Sequence, residues 1–406
     1  MKLRRPRSKR LLRLSTAQVE LVAGTERTRI KRDDNLKHHI PSSLIELILD
    51  LRMVRLREIL GEFAGQYKEK PFKSSEEPEE YRMISDLVSK MLDSLDFPNE
   101  VVSKVDRVMK VQLAFSEAER QYREHFVHPF QVFLVGMTVI DRHYALFERW
   151  FSPELCKDPR TSMEGAWLLA SVFHDHLKPV GPLIQLTRGL LGKTDDEQPS
   201  ISDEITNTKE LLDWLDATYG ALLGSGTLPN QIPTITTNTE LRPILEEYTS
   251  KDNHGVLAGL NVLHWIRDSG QAVKPSDVAA ALAMVLHDGD YQHKRALPQA
   301  LFRAKVFPLP FNQQPLSCLL IWCDTVQEWG RWTHKQNVDT RLVKITFEDS
   351  GINFRLSFDD PEAIKPKIEE VGEIGNSILE SDLEFTFDFR IHPADIGLRR
   401  RGNPTK

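Results

Sequence analysis

The stretch "LLASVFHDHLKPVG", residues 168–181, joins an apolar run to a cluster of ionisable side chains. Residues 163–178 have the apolar spacing of a buried helix, and Pro179 ends it. His174, Asp175 and Lys178 lie close to that end. Because an ionisable group buried without a partner is costly, this helix end predicts a cluster of partners drawn from elsewhere in the chain.

Four other predicted helices each carry an ionisable side chain in an apolar setting: His128 in "HFVHPFQVFLVG", His254 in "HGVLAGLNVL", His287 in "AAALAMVLHD" and Asp324 in "SCLLIWCDTVQEW". Neutral imidazoles and carboxylates are ligands that divalent first-row metals prefer. Together with His174 and Asp175 they would suffice for two ions. Taken alone, His128 also fits a hydrogen-bonded core residue, and Asp324 fits a buried partner of Arg331.

Helical periodicity dominates from residue 36 to residue 338, and strand-like alternation begins near residue 340. Asp252 or Asn253, Ser276 and Pro315 are suited to begin three successive helices. The fold class predicted is therefore mainly α with a small C-terminal α+β module of ββαβ type. The predicted organisation is a basic flexible arm (1–35), an N-terminal helical region (36–110), a helical metal-binding domain (111–338) with an insertion at about 192–240, the α+β module (339–395) and a basic tail (396–406).

Composition narrows the class of protein. The 406 residues are 40% hydrophobic, which suits a globular chain, and no apolar run reaches the ~18 residues of a membrane span. Three cysteines fit neither a disulfide framework nor a thiolate zinc site, so we expect a cytoplasmic protein. Residues 1–32 carry eleven Lys or Arg against two Glu, while the net charge is −6. That arm could contact nucleic acid, or it could be a solubilising segment.

The order of these residues resembles the HD-domain superfamily of metal-dependent phosphohydrolases. The family pattern is a His, a His-Asp doublet and a distal Asp, and members with two metals add two His before that Asp. His128, the doublet His174-Asp175, His254, His287 and Asp324 match this order, and Lys178 matches a lysine that often follows the doublet. The resemblance covers roughly residues 110–338 and implies an HD-type helical bundle.

The resemblance also implies a chemistry. Asp175 would bridge two ions, His128, His174 and Asp324 would complete one site, and His254 and His287 would hold the second. The ions would be Mn, Fe, Co, Ni or Zn, and a metal-bound hydroxide would attack a nucleotide or related phosphoester. Lys178 would offer its charge to a phosphate oxygen, or would be a lysine at a helix C-terminus.

Several alternatives stay open at this stage. His125 competes with His128 as first ligand, and His287-Asp288 forms a second doublet. Four histidines match nothing in the pattern and are expected at the surface or beside the substrate: His176, His264, His293 and His334. A different class of function is a catalytically silent HD scaffold that binds a nucleotide or a protein, with the C-terminal module as a regulatory part or the contact of a homo-oligomer. A third is a nucleic-acid-directed protein that uses the basic arm.

Overall fold

A computed structural model describes residues 42–52, 55–69, 77–118, 127–148, 159–177, 247, 253–287, 309–311, 314–326, 340–348, 351–358, 364–379 and 383–391. The predicted basic arm, the basic tail and the insertion at 192–240 lie outside these residues. So does Lys178, and so do the alternative ligands His125 and Asp288.

The expectation of a mainly helical chain with a small C-terminal sheet is confirmed for the part of the chain that the structure describes. Its helices are α1 (Ser42–Leu49), α2 (Leu56–Glu69), α3 (Glu77–Ser94), α4 (Asn99–Ala118), α5 (Val127–Arg142), α6 (Tyr144–Glu148), α7 (Pro159–Phe173), α8 (His254–Asp268), α9 (Pro275–His287), α10 (Pro315–Val326) and α11 (Ile364–Ser377). Its strands are β1 (Leu309–Pro310), β2 (Thr340–Glu348), β3 (Gly351–Phe358), β4 (Ile378–Leu379) and β5 (Glu384–Ile391). No helix among these residues is both long and apolar enough to cross a membrane.

Local sequence sets the ends of the helices near the site. The Asn253 side chain accepts a hydrogen bond from the backbone N–H of Val256, which caps α8 as predicted. The prediction that Ser276 caps α9 is wrong, because α9 already begins at Pro275. There the carboxylate of Asp277 accepts from the backbone N–H of Lys274 at 2.8 Å, as in the return half of a capping box.

Two glycines allow the helices that carry the predicted ligands to approach closely. A Cβ on Gly136 of α5 would lie 1.9 Å from the indole of Trp167 on α7. A Cβ on Gly259 of α8 would lie 2.5 Å from the carbonyl oxygen of Ala281 on α9. Because neither approach leaves room for a side chain, the α5–α7 and α8–α9 packing depends on glycine at these positions.

The C-terminal sheet has the strand order β2-β3-β5. Strands β2 and β3 are antiparallel, whereas β3 and β5 are parallel and are connected through α11 and β4. Short β1 pairs with β4 in parallel, which joins the residues before α10 to this region. The ββαβ order expected from the sequence is therefore present, with β4 added before the last strand.

The sheet packs on α10 through aromatic rings. Trp322 stacks on Phe385 with ring centroids 5.0 Å apart, and it also contacts Phe387 at 5.3 Å. Phe354 of β3 lies parallel to Phe385 on the same face. The helix that carries Asp324 therefore has the sheet as direct neighbour.

Candidate metal centre

Five helices supply the six predicted ligands. His128 lies in the first turn of α5, and His254 begins α8. His174 and Asp175 follow the end of α7, and His287 ends α9. Asp324 lies in the last turn of α10. Since α7 and α9 end where α5 and α8 begin, side chains distant in sequence meet at one end of the bundle.

Three imidazoles face one oxygen of Asp175. The Nε2 atoms of His254 and His287 both lie 3.4 Å from Oδ1 of Asp175. Nε2 of His174 lies 3.8 Å from the same oxygen. Asp175 is therefore the centre of the cluster.

A second carboxylate contacts the other side of the cluster. Nε2 of His128 lies 2.7 Å from Oδ1 of Asp324, and Nε2 of His174 lies 3.8 Å from that oxygen. The donor atoms consequently fall into two groups that share Asp175: His128, His174 and Asp175, and Asp175, His254 and His287. Within each group all ligand atoms are within 4.8 Å of one another.

The backbone fixes the tautomer of two of these histidines. Nδ1 of His174 lies 2.6 Å from the carbonyl oxygen of Ser171, and Nδ1 of His287 lies 2.6 Å from that of Met284. A carbonyl can only accept, so Nδ1 carries the proton and donates it in both rings. In the neutral rings Nε2 then presents a lone pair toward the carboxylate of Asp175.

This arrangement suits a cation. In their neutral form these two imidazoles direct lone pairs toward the same carboxylate oxygen, and Nε2 of His174 is buried with no hydrogen-bond partner among the described residues. Ligand atoms bound to one ion at about 2.1 Å are separated from one another by about 3 to 3.5 Å. The separations of His254 and His287 from Asp175 fall within that range. A Nδ1–H bonded to a carbonyl is also the usual second contact of a metal-binding histidine.

Solvent reaches the cluster from one side. The side chains of His174, Asp175, His128 and His287 are at most 4% exposed, whereas His254 is 17% and Asp324 is 28% exposed. Of these two accessible ligands, His254 belongs to one donor group, and Asp324 contacts His128 of the other. A bound molecule would therefore reach both groups from the side on which His254 and Asp324 lie.

The expectation for His176 is wrong. This histidine is buried, and its ring packs against Phe173, at 5.7 Å, and Trp265, at 5.1 Å, whose own rings are 5.6 Å apart. Burial lowers the pKa of His176 to about 4, so the ring is neutral at physiological pH. The sequence signal that could have indicated burial is the run of apolar residues before it, which continues through Phe173.

Of the three other histidines that match nothing in the HD pattern, one is described by the structure and two are not. His264 is 23% exposed and lies 3.1 Å from Asp268 in the next turn of α8. It therefore belongs to the partly exposed face of that helix, as predicted. His293 and His334 lie outside the described residues, together with Arg331, the alternative partner of Asp324.

Comparison with known proteins adds no assignment. No family model, no curated protein and no solved structure matches this chain. The geometry of the cluster and the order of its residues along the chain are the features that bear on function.

Proposed function

We propose that this protein is a metal-dependent phosphohydrolase or phosphodiesterase of the HD type, with a nucleotide or related phosphoester as substrate. The observation that carries the proposal is the convergence of three histidine Nε2 atoms on one oxygen of Asp175, at 3.4 to 3.8 Å. The order of these ligands along the chain, which is that of the HD superfamily, supports it independently.

The two donor groups would hold two divalent transition ions of the kind that imidazole and carboxylate prefer: Mn, Fe, Co, Ni or Zn. Asp175 would be shared, with His128, His174 and Asp324 on one ion and His254 and His287 on the other. When bound, such a pair supplies a nucleophile at neutral pH and compensates the charge that develops on a phosphoryl group.

The charge of the ligand set favours an anionic substrate. Two carboxylates contribute −2 and four neutral imidazoles contribute nothing, so two divalent ions would leave the centre with a net charge of about +2. The chain outside the basic arm is acidic, since the whole chain has a net charge of −6 although residues 1–32 hold eleven Lys or Arg against two Glu. A compact phosphoester suits this combination better than a long duplex nucleic acid does, because a duplex requires an extended basic surface.

The residues of the chain itself orient and shield this centre. The carbonyls of Ser171 and Met284 hold the rings of His174 and His287 so that both Nε2 atoms face inward. Burial of these ligands excludes water from the back of the site. His254 and Asp324, the two more exposed ligands, would border the substrate. Lys178, three residues after Asp175, would add a positive charge for a phosphate oxygen.

The test uses two histidines of the same helix. The purified protein is incubated with Mn²⁺ and a panel of nucleotides, cyclic nucleotides and a chromogenic phosphodiester, and release of product is measured. We expect His254→Ala to lose at least about 100-fold in turnover, because a ligand of one ion is removed. His264→Ala, the matched control ten residues further along α8, should keep wild-type turnover.

Two results would contradict the proposal. Equal turnover of His254→Ala and wild type would exclude the cluster as active site. A wild-type protein that retains metal but hydrolyses none of these substrates would instead favour the catalytically silent scaffold, which keeps the same ligands.

A further inference from the structure

His176 follows Asp175 directly, yet both of its ring nitrogens are engaged away from the metal ligands. Nδ1 lies 2.5 Å from the carbonyl oxygen of Phe173, so it donates its proton there. Nε2 lies 3.1 Å from Nδ2 of Asn261 and accepts from that amide. A neutral imidazole has no further donor or acceptor, and His176 is therefore not a ligand itself.

Asn261 lies on the helix that supplies His254. The two residues are seven positions apart on α8, which places them two turns apart on the same face. Asn261 is 5% exposed, and Trp265, one further turn along, packs against the ring of His176. One face of α8 consequently meets the turn 174–177 at two points, His254 against Asp175 and Asn261 against His176.

The geometry points to His176 and Asn261 as a positioning pair that sets the separation between Asp175 and His254. The buried amide–imidazole bond holds the turn after α7 against α8, and the rings of Phe173 and Trp265 both pack against the imidazole. Asp175 is covalently next to His176, so any movement of one carries the other. This role deepens the proposed metal centre and rests on it.

Mutating a residue that holds a metal ligand in place without touching the metal typically lowers metal affinity by about 10- to 100-fold. We expect Asn261→Leu and His176→Phe to lower the affinity for Co²⁺ by that factor. Leucine keeps the branched heavy-atom shape of Asn261 but removes the donor, and phenylalanine keeps a ring against Phe173 and Trp265 but removes both hydrogen bonds. In both variants the six ligands remain.

A rescue variant separates positioning from general stability. In His176→Gln the amide oxygen can take the place of Nε2 as acceptor for Asn261, so Co²⁺ affinity should stay within about threefold of wild type. The matched control is Asn353→Leu, which removes a 2.9 Å bond from an asparagine amide to Thr386 in the C-terminal sheet. It should lower the melting temperature at most slightly and leave Co²⁺ affinity unchanged.

In the experiment, the metal-free full-length chain is titrated with Co²⁺, and binding is monitored by the visible absorption of the bound ion. Circular dichroism establishes that each variant is folded. Loss of affinity in Asn261→Leu and His176→Phe, with retention in His176→Gln and Asn353→Leu, would support the pair. Wild-type affinity in folded Asn261→Leu would overturn it and leave the proposed function intact. If one of the two variants fails to fold, the other decides, since each breaks the same bond. Absence of Co²⁺ binding by wild type would overturn the proposed centre, and the pair with it.

Discussion

Replacing Gly259 with alanine tests whether the close approach of α8 and α9 holds the metal ligands together. At an unobstructed position inside a helix, this change stabilises a protein by roughly 1 kcal/mol, because alanine loses less backbone freedom on folding. At Gly259 the added Cβ would lie 2.5 Å from the carbonyl oxygen of Ala281 and 2.9 Å from a methyl of Val285. The oxygen belongs to the backbone of α9, so the contact can be relieved only if the two helices separate.

The two effects have opposite signs, and the steric one should dominate. Overpacking a core costs about 1 to 3 kcal/mol, and a contact with a helix backbone belongs at the upper end of that range. When the stabilisation from the higher helix propensity of alanine is subtracted from this cost, we expect Gly259→Ala to lower the free energy of unfolding by about 2 kcal/mol. Gly65→Ala is the matched control. Gly65 is in α2 with nothing within 4 Å of its added Cβ, so stability should rise by up to about 1 kcal/mol.

Urea unfolding of the metal-free variants measures these differences, and a Co²⁺ titration measures the consequence for the site. His254 lies five residues before Gly259, and His287 lies six residues after Ala281. Separation of the two helices should therefore move the two histidines apart and weaken metal binding in Gly259→Ala only. If Gly259→Ala were as stabilising as Gly65→Ala, the reasoning from the close helix packing would be refuted.

Three further changes have defined outcomes. Burial raises the pKa of Asp277 from 3.8 to about 6. Between these two pH values the folded state holds a proton on Asp277 that the unfolded state has lost. The free energy of unfolding of the wild type therefore falls as pH rises from about 4 to 6. Asp277→Asn should remove most of that fall, on the order of 3 kcal/mol in urea unfolding across the range, and an unchanged pH profile would contradict it. Trp322→Ala should cost about 3 to 5 kcal/mol, since it removes the stack on Phe385, and a loss below about 1 kcal/mol would show that the sheet does not support α10. Gly136→Ala should destabilise the chain by more than Gly259→Ala does, because the indole of Trp167 would lie 1.9 Å from the new Cβ, and a milder effect in the same assay would mean that Trp167 can move.

The helices and the positions of the ligands on them could be predicted from the sequence. Apolar residues at helical spacing define each helix, and an ionisable side chain at the end of such a run, as at His174 and His287, is detectable without a structure. The structure brings His128, His254 and Asp324 to the same place. Their convergence could be anticipated only from the order of the residues, because spacing within a helix says nothing about which helix ends meet.

Contacts between segments distant in sequence could not be predicted from local sequence patterns. The environment of His176 depends on Asn261, which is 85 positions away, and the sequence near either residue carries no sign of the other. The pairing of β1 with β4 and the stack of Trp322 on Phe385 likewise join segments more than 60 residues apart. Such contacts are decided by which surfaces fit once the helices pack, and a periodicity of 3.6 or 2 residues does not contain that information.

The most direct test of the account is the metal content of the purified protein, measured by inductively coupled plasma mass spectrometry after loading with Mn²⁺ and dialysis. Three proteins are compared: wild type, Asp175→Ala and, as the matched buried carboxylate at the opposite end of α9 from the cluster, Asp277→Asn. We predict roughly two ions per chain in wild type and Asp277→Asn, and almost none in Asp175→Ala, because Asp175 is common to both donor groups. Equal metal in wild type and Asp175→Ala, or no metal in wild type, would contradict the central claim that these histidines and carboxylates form a metal centre.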